Sequence, residues 1–81
     1  MNHAQRRAAE RYGLELSEIE LGRICGAIQR REDVIYETTR HGAEIWKVRV
    51  KGVWTFVVYL PRFRQIATFL TAEQARRKTA A

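Results

Sequence analysis

The chain has 81 residues, 46% hydrophobic and 30% charged, with a formal net charge of +6. This is globular composition, and it leaves room for one domain with a thin stability margin, since chains this small bury only somewhat more than about 60% of their unfolded surface. A single cysteine, Cys25, excludes an internal disulfide, and no apolar run approaches the roughly 18 to 20 residues needed to cross a bilayer.

The opening MNHAQRRAAERYG lacks the apolar core of a secretory signal, which with the lone thiol predicts a cytoplasmic protein with no membrane contact. From His3 to Tyr12 good helix formers place Ala4, Ala8 and Tyr12 on one narrow apolar stripe, with His3, Arg6, Arg7 and Arg11 on the polar side and Gly13 as the stop. Ser17 and Glu20 then read as a capping box, with Leu16 and Leu21 placed as a hydrophobic staple. Leu21, Ile24, Cys25 and Ile28 give the second helix one buried face. Gly22 and Gly26 on adjacent turns are expected to let this helix approach a sheet closely.

Four strands follow. Val34–Thr39 reads as a weak edge strand and His41-Gly42 as a turn. Glu44–Val50 and Val53–Leu60 flank the two-residue connection Lys51-Gly52, which sets the register by pairing Val50 with Val53. Counting back from that pair puts Val48 opposite Thr55 and Trp46 opposite Val57 on one face, and Arg49 opposite Trp54, Lys47 opposite Phe56 and Ile45 opposite Val58 on the other. Trp46, Val48, Val50, Val53 and Val57 are core material; Lys47, Arg49, Trp54 and Phe56 mix cations with rings. Pro61 opens a turn into a last strand, Arg64–Leu70. Thr71 and Gln74 can cap a short helix, but 72–81 has no apolar stripe to dock and reads as a frayed basic tail after a single domain over 1–71.

Charge is distributed unevenly. Residues 1–44 carry seven Arg against eight acidic residues, whereas residues 45–81 carry eight Lys or Arg against Glu73 alone. Such asymmetry favours a polyanion, because clustered cations gain by releasing the counterions of phosphates. Other chemistry is poorly represented. His3, Cys25 and His41 have no metal-ligand spacing, Cys25 belongs to a core stripe, and there is no phosphate loop or nucleophile elbow; neither a metal nor another cofactor is expected.

RNA cleavage without metal needs a base for the 2′-hydroxyl, a proton for the leaving oxygen and cations for the phosphate. His3 supplies an imidazole, Tyr59 and Thr68 supply hydroxyls, and Arg6, Arg7, Arg11, Lys47, Arg49 and Arg64 can hold phosphate. The same cations with Trp54 and Phe56 equally suit binding without catalysis, with bases stacked on the rings. A third reading buries those rings beneath a helix or a second copy of the chain, leaving Lys and Arg stems lying over them. Tyr12 and Tyr36 read as packing residues.

Two helices followed by a meander closing in VVYLPRFRQIATFL, behind an opening HAQRRAAERYGLELS, resemble the small nuclease-like fold shared by RelE-type toxins, colicin-type ribonucleases and short phage or prophage proteins. The resemblance covers most of residues 3–70. It implies a metal-independent, RNA-directed endonuclease with His3 and Thr68 at the motif positions and Arg6 or Arg11 accessory. Leu60 stands where related sequences often have Asp, and the group includes inactive, binding-only members.

The expectation is therefore an α+β domain, two N-terminal helices on a four-stranded antiparallel sheet as in RelE-like proteins. Its expected partner is nucleic acid, RNA over DNA. An antitoxin, a host nucleoprotein and a second copy of the chain are the protein partners those readings allow.

Overall fold

The computed structural model describes residues 2–39 and 41–79. Helix α1 (His3–Tyr12) starts from a capping box that sequence reading missed, with Asn2 and Gln5 exchanging side-chain-to-backbone hydrogen bonds of 2.8 Å each. Gly13, at φ 67°, closes it in the left-handed conformation that glycine adopts without a Cβ clash. Helix α2 (Glu18–Gln29) starts from the expected Ser17–Glu20 box. It stops at Arg30, after which Arg31 takes φ 55°, normally a glycine position. The Arg31 guanidinium lies 5.6 Å from the Trp46 ring centroid, a contact that recovers part of the left-handed cost, and Trp46 Nε1 donates to Glu44 at 3.0 Å.

The sheet is an antiparallel meander of β1 (Val34–Thr38), β2 (Glu44–Val50), β3 (Val53–Leu60) and β4 (Gln65–Leu70), in spatial order β1-β2-β3-β4. The β2–β3 register is the expected one throughout, from Val50 opposite Val53 to Ile45 opposite Val58. Both turn residues have positive φ, 49° at Lys51 and 80° at Gly52, the two-residue geometry whose twist matches the flanking strands. Lys51 is a poor residue for that conformation, but its Nζ is held by the Glu15 carbonyl at 3.1 Å and the Glu20 carboxylate at 2.9 Å. The start of α2 thus anchors the hairpin tip.

Both N-terminal helices cover one face of the sheet. Ala4, Ala8, Ile24 and Ile28 bury against Trp46, Val48, Val57, Tyr59 and Phe69. Two expectations are corrected. Val53, beside the turn, is 36% exposed rather than core. The α2 glycines do not serve close packing: a Cβ on Gly22 would meet nothing within 4 Å, and one on Gly26 would meet only the Arg30 side chain.

The end of α1 is fastened to the sheet through β4. Arg11 donates to the Phe69 carbonyl, and the Tyr12 hydroxyl donates to the Leu70 carbonyl while accepting the Phe56 N–H at 3.2 Å. Phe56 and Leu70 are ladder partners, so this hydroxyl joins β3 to β4. Burial raises the Tyr12 pKa, partly opposed by the Phe56 N–H and the Arg11 charge.

The reading of residues 72–81 as a frayed tail is also corrected. Thr71 and Gln74 exchange capping hydrogen bonds, and α3 (Ala72–Thr79) follows; Ala80 and Ala81 lie outside the described residues. One small residue docks this helix. Ala75 is fully buried with Ile45 and Leu70, and Phe56 and Val58 pack alongside. A single alanine contact leaves no periodic stripe in the sequence, which is why the docking was not legible there.

Two outcomes test this account. Tyr12→Phe removes the donor and acceptor bridging Phe56 and Leu70 and should destabilise the fold by about 1–3 kcal/mol in urea titration. The Glu20 pKa is lowered from 4.5 to about 2, first by the Ser17 backbone N–H and then by Lys51. A depressed carboxylate pKa contributes stability that is full above about 4.5 and lost as pH falls toward about 2. Glu20→Gln should flatten stability against pH in that window.

Candidate nucleic-acid interface

Alternation along β2 and β3 places Ile45, Lys47 and Arg49 with Trp54, Phe56 and Val58 on the sheet face away from α1 and α2. Helix α3 covers the Ile45–Val58 end; the end toward the Lys51-Gly52 turn stays open. There Trp54 is 52% exposed, and both cations gather on it, Lys47 Nζ 5.2 Å and Arg49 Cζ 5.9 Å from the ring centroid. Leaving half of an indole in water forgoes on the order of 2 kcal/mol of burial, while exposed cation–π contacts return roughly 0.5–1 kcal/mol each. The arrangement is close to neutral for folding. Its consequence is an accessible ring in a positive field.

The neighbouring strand extends the surface. Val34 lies opposite Lys47 and is 64% exposed, and Tyr36 meets Phe56 edge-on at 5.0 Å between centroids, with an interplanar angle of 77°. Tyr36 is therefore part of this surface and not only a packing residue. Its position could not be counted from the sequence, because the β1–β2 register shifts between Ile35 and Glu37. Of the two carboxylates in the strands, Glu44 pairs with Tyr59 on the helix-covered face, while Glu37 lies opposite Ile45, at the end that α3 occupies.

The other expected binding residues are elsewhere. Arg6 is exposed on α1, Arg7 is paired with Glu10 at 2.8 Å, and Arg11 is committed to the Phe69 carbonyl. Arg64 is in the β3–β4 turn at φ 52°, beside Phe63, an exposed ring that sequence reading passed over. Lys47, Arg49, Trp54 and Phe56 converge; Arg6, Arg7, Arg11 and Arg64 do not join them.

The hydroxyl and imidazole candidates are dispersed. His3 begins α1 in the helical layer, whereas Thr68 pairs with Val58 on the opposite side of the sheet, where its hydroxyl makes a long 3.4 Å bond to the Phe69 carbonyl. Tyr59 is 5% exposed within the helix-side core. Arg49 shares a face with Thr68, but the Trp54 and Val58 rows are four residues apart, about 14 Å. No single substrate phosphate reaches His3, Arg49 and Thr68 together.

His3 instead lines a cleft of about 520 Å³ between α1, α2 and the start of β4. Leu21, Gly22, Cys25 and Ile66 contribute to its walls, with Glu18 and Arg64 also lining it. The Cys25 thiol donates to the Arg64 carbonyl at 3.5 Å, and burial raises its pKa, opposite to the shift that makes a thiolate nucleophile. No group of three or more His, Cys, Asp or Glu side chains is placed to hold a metal among the described residues.

The indole environments give a direct check. Trp54 fluorescence should be quenched by iodide more efficiently than by neutral acrylamide, because Lys47 and Arg49 concentrate anions at the ring, while Trp46, 2% exposed, should resist both. The iodide advantage should shrink when Lys47 and Arg49 are changed to Gln.

No family model, curated protein or solved structure matches the chain, so the functional reading draws on this geometry and the sequence motifs.

Proposed function

We propose that this protein is a small nucleic-acid-binding domain, directed to RNA, whose contact surface is the open end of the sheet. One observation carries the reading: Lys47 and Arg49 both approach the half-exposed Trp54 ring, so a phosphate and a base find partners within one side-chain cluster. Tyr36 and Phe56 extend the ring surface, and the strand carboxylates lie away from the Trp54 row. The RNA preference draws on the resemblance of the first helix and last hairpin to small ribonuclease-like proteins.

A second reading, metal-independent RNA cleavage of the toxin type, draws on His3 and Arg64 lining the same cleft, where an imidazole could move a proton beside a cation. It assigns cleavage to a place different from the open face. A further reading, a protein-only adaptor that dimerises through an exposed strand, draws on β1, whose residues are all exposed along the sheet edge, although the bulge between Ile35 and Glu37 blunts that edge for strand pairing.

Fluorescence anisotropy with labelled RNA across a salt series tests the binding reading. Affinity should fall steeply with salt, and the double variant Lys47→Gln, Arg49→Gln should reduce the log–log slope by about 1.4, roughly 0.7 per phosphate contact on a single strand. Affinity indifferent to salt would overturn a phosphate-led interface. In the same samples, with chelator present, cleavage abolished by His3→Ala would establish the second reading, and intact RNA from pH about 5 to 8 would remove it.

A further inference from the structure

We infer that the open face selects unpaired bases of a single strand and accommodates two of them, with α3 closing the track; this rests on the nucleic-acid reading above and specifies its ligand.

The selectivity follows from what each form of nucleic acid exposes. In a duplex the base faces are stacked on one another, leaving phosphates and groove edges for a protein to touch. An accessible indole face therefore gains nothing from a duplex, whereas an unpaired base can lie on it. Trp54 is 52% exposed on a strand whose alternate residues Thr55 and Val57 are fully buried; Lys47 and Arg49 lie over its ring, and an incoming base would take the ring surface they leave to solvent. Sequence-independent phosphate binding would need the cations alone.

The limit of two follows from the rows of the sheet. Along β3 the first ring row is Trp54 with Arg49, and the second is Phe56 with Lys47; Phe56 is half-buried beside the Ala75 cluster, and Tyr36, 40% exposed, meets it edge-on and carries the accessible ring of that row. These rows are two residues, about 7 Å, apart. The third row is Val58 with Ile45, where Ala75 of α3 is packed and the Glu37 carboxylate lies opposite Ile45, so both volume and charge oppose a further nucleotide. Lys47 belongs to the second row yet reaches the Trp54 ring of the first, placing a cation between the two base positions.

Calorimetric titration of the full chain with a mononucleotide, a dinucleotide, longer single strands and duplexes of matched length tests this at fixed low salt. Affinity should rise sharply from mononucleotide to dinucleotide and more gently with added phosphates thereafter. Trp54→Ala should weaken single-strand binding by about tenfold or more and leave duplex binding nearly unchanged, with Trp54→Phe retaining most of the affinity. The near-ultraviolet signal of buried Trp46 reports whether each variant is folded. Equal affinity for single strand and duplex, with Trp54→Ala indifferent, overturns base stacking while the polyanion reading stands. A gain that stays steep beyond the dinucleotide overturns the two-base limit, and no binding to any nucleic acid overturns both readings.

Discussion

The structure depends first on a two-residue turn. Lys51 and Gly52 join β2 to β3 with both φ values positive, and the register they set alternates every side chain on the central hairpin between two environments. A slip of one residue would send Trp46, Val48 and Val57 into solvent and press Lys47 and Arg49 into the helices. The turn is held at some conformational expense, since lysine disfavours the left-handed region, and the contacts of Lys51 with Glu15 and Glu20 fasten it to α2. Helical layer and hairpin tip therefore fix each other.

From that register come two surfaces of unlike character. One is a conventional core, with aliphatic helix residues over Trp46, Val57 and Phe69. The other is divided: α3 seals Ile45 and Leu70 through Ala75 with Phe56 packed alongside, Tyr36 meets Phe56 edge-on, and beyond them Trp54 lies under two cations. A domain this small has little apolar surface to spare, so leaving an indole half in water next to two positive charges is an arrangement that folding alone does not require. An accessible ring under two cations, near neutral for folding, motivates the nucleic-acid proposal.

The fold class and the central hairpin were legible because their signals are local. Ser17–Glu20 marks a helix start, Lys51-Gly52 marks a turn, and period-two alternation sorts Lys47 from Val48. What escaped depended on contacts distant in sequence or on a single residue. Ala75 docks a helix without an apolar stripe, the bulge in β1 hides the position of Tyr36, and Arg31 occupies a glycine-like conformation with its guanidinium over Trp46. For the site, sequence spacing identified the residues sharing the open face but could not tell that His3 and Thr68 lie on opposite sides of the sheet. Residue type suggested chemistry; topology separated the groups that would perform it.

The most direct measurement is a two-dimensional nitrogen–proton spectrum of the protein as a single-stranded oligonucleotide is added. The account predicts that the Trp54 indole resonance moves together with the amides of Tyr36, Lys47, Arg49 and Phe56, while the Trp46 indole, hydrogen-bonded to Glu44 in the core, stays in place. Movement confined to His3, Gly22, Cys25 and Arg64 around the helix-side cleft, with Trp54 unmoved, would contradict it.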